Sequence, residues 1–168
     1  MTTTSARGLI ALQTLFLLVG SMFAWSKLVP QMTTFYAIYH TFWHFVGCTV
    51  PNPLTTACLY GSIGFVVALV WSLKVLGTPT YTGQRYLRNF LLGCSIFAAS
   101  VVAYEALVYY KIIAATVSVS CTPGASPLAS PCFTGMTFFI LAFATSIFAT
   151  RRLRDALMPM VETPSVNS

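Results

Sequence analysis

Four stretches of the 168-residue chain are long, apolar and nearly free of charge: Gly8 to Val29, Leu54 to Leu76, Asn89 to Tyr110, and Phe133 to Thr150. A helix needs about 20 mainly apolar residues to cross the hydrocarbon core of a bilayer. It also satisfies its own backbone hydrogen bonds there. A membrane β-barrel would alternate apolar and polar residues, whereas Phe65-Val66-Val67-Ala68-Leu69-Val70 is apolar throughout. The chain is 57% hydrophobic and only 7% charged, against about 25% charged in a soluble domain. So little charge cannot cover a water-soluble surface, and intrinsic disorder needs the opposite composition. The expected fold class is an all-α membrane protein, a four-transmembrane-helix bundle forming one integral membrane domain over 1–168.

Basic residues set the expected orientation, because lysine and arginine accumulate on the cytoplasmic side. Arg7 precedes the first run, Lys74, Arg85 and Arg88 flank the second connection, and Arg151, Arg152 and Arg154 follow the fourth run. Only Lys27 and Lys111 fall on the other side. Both termini are therefore expected to be cytoplasmic. The +6 formal charge is a topology signal that also suits anionic headgroups, and no nucleic-acid partner is expected. Arg7 before an apolar run also has the look of a signal peptide. The run is long for a signal core and Met22-Phe23-Ala24 is a poor cleavage site, so the span is expected to be kept.

The outer connection over 30–53 opens with Pro30 and is dense in aromatics without formal charge. Tyrosine and tryptophan favour the headgroup zone, and the stretch reads as an outer interfacial helix around 32–46, or as a continuation of the first span past a kink at Pro30. Gly77 to Arg88, with Gly77, Pro79 and Gly83, reads as an inner turn. The tail over 158–168, with Pro159 and Pro164, reads as a flexible end.

Two outer segments repeat one pattern. Cys48 to Gly61 reads CTVPNPLTTACLYG, and Cys121 to Gly135 reads CTPGASPLASPCFTG. Each has Cys-Thr, a proline, Pro-Leu and two small residues, and a second cysteine three residues before glycine. Each leads into an apolar run that ends at basic residues. The chain therefore divides into two halves, about 8–76 and 89–154. Each half is a helical hairpin, and the two are parallel-oriented about a pseudo-two-fold axis along the membrane normal. Small residues such as Gly61, Gly64, Ala68, Gly93, Ala98 and Ala99 allow close helix approach.

Four of the five cysteines, Cys48, Cys58, Cys121 and Cys132, fall in the outer segments, and Cys94 falls within the third run. Exoplasmic cysteines are expected to bridge. Four allow three connectivities, of which the repeat favours Cys48–Cys58 and Cys121–Cys132. Such staples stabilise a short loop by about 3 kcal/mol. The sharper alternative is a redox pair exchanging with a protein thiol. Cys94 is expected to be an inert buried thiol.

In topology and cysteine placement, the pattern resembles the disulfide-generating quinone reductases and the vitamin K epoxide reductases. That resemblance implies a membrane thiol/quinone oxidoreductase. The chain departs from it in having no Cys-x-x-Cys and no arginine in either cysteine loop. Trp43 ahead of Cys48 and Cys58 also resembles the claudin-like proteins, whose longer outer sheet this loop is too short to build. The chain is assigned to none of these families.

His40 and His44 are the only histidines. At i,i+4 they would share a helix face, a spacing that suits a metal, a haem or a related pigment. Glu105 is the only carboxylate within a run. An ionisable group inside a membrane is costly and commonly functional, and Glu105 would complete a two-histidine, one-carboxylate set. The bland alternatives are interfacial histidines and a glutamate that reaches the outer interface or pairs with Lys111. No phosphate loop, nucleophile elbow or haem-attachment motif occurs. The leading functional expectation is a non-catalytic accessory or structural subunit in the cell membrane. Its partners would be the bilayer and other membrane subunits or further copies of itself. The alternatives are the thiol/quinone oxidoreductase and the metal or haem site. No catalytic residue or cofactor is fixed by the sequence, with quinone, haem and metal the candidates.

Overall fold

A computed structural model describes residues 2–43, 45, 52–113 and 126–157. Among them the chain is helical and contains no strand. Four long helices, α1 (Thr2–Tyr39), α2 (Ala57–Gly77), α3 (Tyr81–Tyr109) and α4 (Pro131–Leu157), are joined by short connections that include two 3-10 turns, Pro53–Thr55 and Pro127–Ala129. All four are long and apolar enough to cross a membrane. In lateral order α1 packs on α2 and α4, and α3 packs on α4 and, most loosely, on α2.

Two helix boundaries differ from the sequence expectation. α1 does not stop near Val29 to begin a separate interfacial helix over 32–46. It runs through Pro30 to Tyr39. The extension holds because Phe35 is fully buried and stacks near Tyr39 and Phe42, at 4.7 and 6.5 Å between ring centroids. The helix ends at His40, whose φ of 51° lies in the left-handed region and whose N–H donates to the Tyr36 carbonyl at 2.8 Å. Likewise the inner connection is shorter than Gly77 to Arg88, because α3 already starts at Tyr81. Thr80 caps it, its hydroxyl accepting from the Gly83 N–H at 3.3 Å. A Cβ at Gly83 would lie 2.7 Å from that same hydroxyl, so the glycine that reads as a breaker makes room for the cap.

The end of the bundle where α1 and α3 begin and α2 and α4 finish is held by a chain of polar side chains that face one another across all four helices. Gln13 of α1 and Gln84 of α3 are fully buried, as are Ser72 of α2 and Ser146 of α4. Gln84 Nε2 donates to Gln13 Oε1 at 2.7 Å and to Ser146 Oγ at 3.2 Å. Gln13 Nε2 donates to Ser72 Oγ at 3.2 Å. Ser72 Oγ lies 2.8 Å from Thr14 Oγ1, and the Thr14 hydroxyl donates to the Ile10 carbonyl at 2.8 Å. Since Thr14 spends its proton on Ile10, Ser72 is the donor to Thr14. The chain of donation thus has one direction, from Gln84 through Gln13 and Ser72 to Thr14. An amide placed alone in hydrocarbon costs several kcal/mol, so these helices have one favourable rotational register, the one in which the amides meet. Gln84 Oε1 alone has no partner.

The middle of the bundle is apolar and close-packed. Phe65 of α2 and Phe139 of α4 stack at 3.9 Å between centroids and 11° between planes. Gly20 of α1 lies against Phe65, and a Cβ there would stand 2.5 Å from that ring and 3.0 Å from the Phe138 Cβ. The Phe65 ring is fully buried and fixed on its other face, so it has nowhere to retreat.

Two consequences are measurable by unfolding the purified protein in mixed micelles with increasing sodium dodecyl sulfate. Gln84→Leu leaves Gln13 Oε1 unpaired and is expected to cost about 1–2 kcal/mol, at the upper end of interhelical hydrogen bonds in membranes. Phe148→Leu, on an outward face, is the comparison, and equal effects would refute the node. Gly20→Ala is expected to cost about 1–3 kcal/mol by overpacking, and adding Phe65→Leu should recover part of that loss.

Candidate functional site

The end of the bundle opposite the polar node is built from the start of α2 and the start of α4, and the same local structure precedes both helices. Asn52 and Ser126 are extended, with φ and ψ of −66° and 120°, and −62° and 143°. Pro53 and Pro127 each open a 3-10 turn and are buried. The Thr55 N–H donates to the Asn52 carbonyl and the Ala129 N–H to the Ser126 carbonyl, both at 3.0 Å. Thr56 and Ser130 then return to extended backbone and are buried. Proline supplies the fixed φ of the first turn residue and needs no N–H partner there. Asn52 adds a tie to the preceding chain, its side-chain amide donating to the Phe42 carbonyl at 2.9 Å while its Oδ1 accepts from the Leu54 N–H at 2.9 Å.

This shared entry into α2 and α4 puts a cysteine at the second residue of each helix. Cys58 Sγ and Cys132 Sγ are 3.9 Å apart, a non-bonded contact against about 2.05 Å for a disulfide. The sequence paired each of these cysteines within its own loop, and their mutual approach was not foreseen. Cys48 and Cys121 lie outside the described residues, so the pairings Cys48–Cys58 and Cys121–Cys132 remain proposals. Cys94, expected near the inner end of its span, instead sits midway along α3 because that helix begins earlier. Its sulfur would be 3.6 Å from a Cβ at Gly64, which places it at the seam between α2 and α3.

A narrow cavity of about 60 Å³ lies below the two sulfurs. All four helices line it. Phe65 and Phe139 contribute to its walls together with Phe23, Phe97, Val101 and Met136. Lys27 is the one charged lining residue, with its ammonium 5.7 Å from the centroid of the Phe23 ring. Two more open crevices follow the loose seam between α2 and α3, one sharing Gly61, Phe97 and Phe139 with the cavity and the other Ala57, Phe97 and Val101.

The histidine and carboxylate expectation fares differently. α1 ends at Tyr39 and residues 41–43 are not helical. The aromatic cluster around Phe42 and the left-handed turn at His40 replace the helix on which the i,i+4 argument rested. His44 itself lies outside the described residues. Among the described residues no group of three His, Cys, Asp or Glu side chains is placed to hold a metal. Glu105 is buried on α3, and among the described residues neither carboxylate oxygen has a hydrogen-bond partner. The polar node formed by Gln13, Thr14, Ser72, Gln84 and Ser146 was missed by sequence reasoning. Its one legible sign was that Gln13 is an amide within an otherwise apolar run.

No protein family, curated protein or solved structure matches the chain.

An unpartnered buried carboxylate offers the fold nothing in return for its desolvation. Glu105→Leu is therefore expected to leave the detergent unfolding free energy unchanged or to raise it. A loss of more than about 2 kcal/mol, the size reserved for a broken buried network, would show that the carboxylate has a structural partner beyond the described residues.

Proposed function

We propose that the chain is a multi-pass integral membrane protein of the cell membrane that serves as a non-catalytic accessory or structural subunit. The observation that carries this reading is the inverted polarity of the bundle. The amides and hydroxyls of the node are turned inward on one another, while large apolar side chains such as Leu15, Met22, Val70, Ile96 and Phe148 are exposed on all four helices. Such a surface suits lipid tails and other apolar helices, so the bilayer and further membrane subunits, or further copies of this chain, are its partners.

The proposal includes topology. Arg7, Lys74, Arg151, Arg152 and Arg154 lie on the helix ends beyond the polar node, and Arg85 and Arg88 lie within about one turn of Gln84 at the same end, which makes that end cytoplasmic and the cysteine end exoplasmic. It also includes an internal duplication into two parallel-oriented hairpins. Supporting it are the matched turns before α2 and α4. A further support is that residues at the same 74-residue spacing meet: Cys58 with Cys132 and Phe65 with Phe139. A pseudo-two-fold axis would bring such equivalents together. Within this reading the outer cysteines form the loop staples Cys48–Cys58 and Cys121–Cys132.

The approach of Cys58 to Cys132 favours one second reading, a membrane thiol/quinone oxidoreductase. Here a partner dithiol reduces the Cys48–Cys58 bridge and leaves as its own disulfide, and the Cys58 thiolate attacks Cys132, breaking Cys121–Cys132 and releasing Cys121 as a thiolate. Cys48 then displaces Cys132 from Cys58, which closes Cys48–Cys58 and leaves Cys121 and Cys132 as a dithiol; that dithiol gives two electrons and two protons to a quinone, which leaves as the quinol while Cys121–Cys132 re-forms.

One experiment separates the two. Intact membranes are alkylated with an impermeant reagent before and after mild reduction, and the cysteine peptides are read by mass spectrometry. The subunit reading expects both loop pairs fully bridged, resistant to mild reductant and indifferent to added quinone. A Cys58–Cys132 bridge whose abundance changes with quinone would establish the oxidoreductase instead.

A further inference from the structure

We infer that the cavity beneath Cys58 and Cys132 is a binding site for a single-chain amphiphile with an anionic head, a long-chain carboxylate, held with its head at Lys27 and its chain between the four helices. The inference goes beyond the proposed function and is independent of the state of the cysteines.

Three features of the cavity define the ligand. Its walls are aliphatic and aromatic, and an apolar cavity of this kind does not hold water. The lining of α2 descends from Ala57 and Cys58 through Gly61 and Ser62 to Phe65, about two helical turns or ~10 Å. The stacked Phe65 and Phe139 rings lie at that depth. This depth accepts the first part of one acyl chain.

The charged group is at the mouth. Lys27 is exposed there and no acidic residue lines the cavity. Ala57 and Pro131, the first residues of α2 and α4, also line it. The positive ends of two helix dipoles therefore add to the lysine charge. Ser62, the one lining hydroxyl, is committed to the Cys58 carbonyl at 2.7 Å. A ligand with hydrogen-bonding groups at both ends, such as a quinone ring, would find no second donor deep in the cavity. A ligand with one anionic end and an apolar remainder matches the layout.

The third feature is access. α2 and α3 are the most loosely packed neighbours, and the crevices along their seam both meet the cavity at Phe97, one also at Gly61 and the other also at Val101. No heavy atom within 4 Å would meet a Cβ at Gly61 or at Gly93. A chain can therefore pass sideways from the lipid phase between α2 and α3, keeping its head at the interface.

The test uses the full-length protein in phosphatidylcholine nanodiscs with radiolabelled palmitate as probe and hexadecanol as its neutral counterpart. Saturable binding of one palmitate per chain is expected. Lys27→Met should weaken palmitate at least tenfold, Lys27→Arg should restore it, and hexadecanol should bind weakly to all three. Ala98→Phe, which fills the cavity, should abolish binding, with thermal unfolding of each variant as the folding check. The inference is overturned if palmitate binding is non-saturable, if Lys27→Met leaves it unchanged, or if hexadecanol binds the unaltered protein as tightly as palmitate. It is equally overturned if phosphatidylglycerol in the nanodisc displaces palmitate fully, because the occupant is then a phospholipid. The Lys27 pair decides the matter even if Ala98→Phe does not fold.

Discussion

The bundle depends on a run of hydrogen bonds that begins at Gln84 and ends at the Ile10 carbonyl. In water such bonds would be optional, since a glutamine turned outward loses nothing. Between lipid-facing helices an amide has no other partner, and apolar packing gives little preference for one rotation over another because lipid tails are as apolar as leucine. The node therefore does what a hydrophobic core does in a soluble protein. It states which face of each helix is the inside. Everything nearer the outer end, including the Phe65–Phe139 stack and the two sulfurs, inherits its register from it.

This also explains how much of the molecule was legible beforehand. The existence and order of four spans follow from run length and charge, and the helices appear where those runs are. The boundary failed at Gly83, which reads as a break, while at Pro30 the helix follows the second of the two readings and continues past the proline. Proline inside a helix is tolerated where packing holds the following turn, as Phe35 does, and Gly83 serves the cap at Thr80. The node stayed hidden because helices that are apolar on all faces carry no periodicity from which an inner face can be read. Gln13 stood out in its run, but nothing in one sequence says that Gln84, on the far side of the chain, faces it.

At the outer end the repeated Pro-Leu segments were legible as a pattern, and their matched 3-10 turns give that pattern a physical cause. What the pattern did not suggest was that Cys58 would meet Cys132. Pairing each cysteine within its own loop follows from sequence proximity. The proposed two-fold relation between halves supplies a competing rule, since residues near an axis have their own equivalents as neighbours. Phe65 with Phe139 obeys that rule, and so do the sulfurs.

The candidate site differs from the rest of the bundle in departing from that rule. Lys27 has no lysine facing it across the cavity, and the seam between α2 and α3 is loose where that between α1 and α4 is closed over Gly20. A duplicated bundle with equal seams would present two shallow clefts of similar character. Closing one seam and leaving the other open produces a single lateral passage, with one charge at its mouth and an aromatic stack at its depth. The polar node makes such an opening tolerable. With the inner halves of all four helices tied together, the outer halves of α2 and α3 can stand apart without the bundle losing its register.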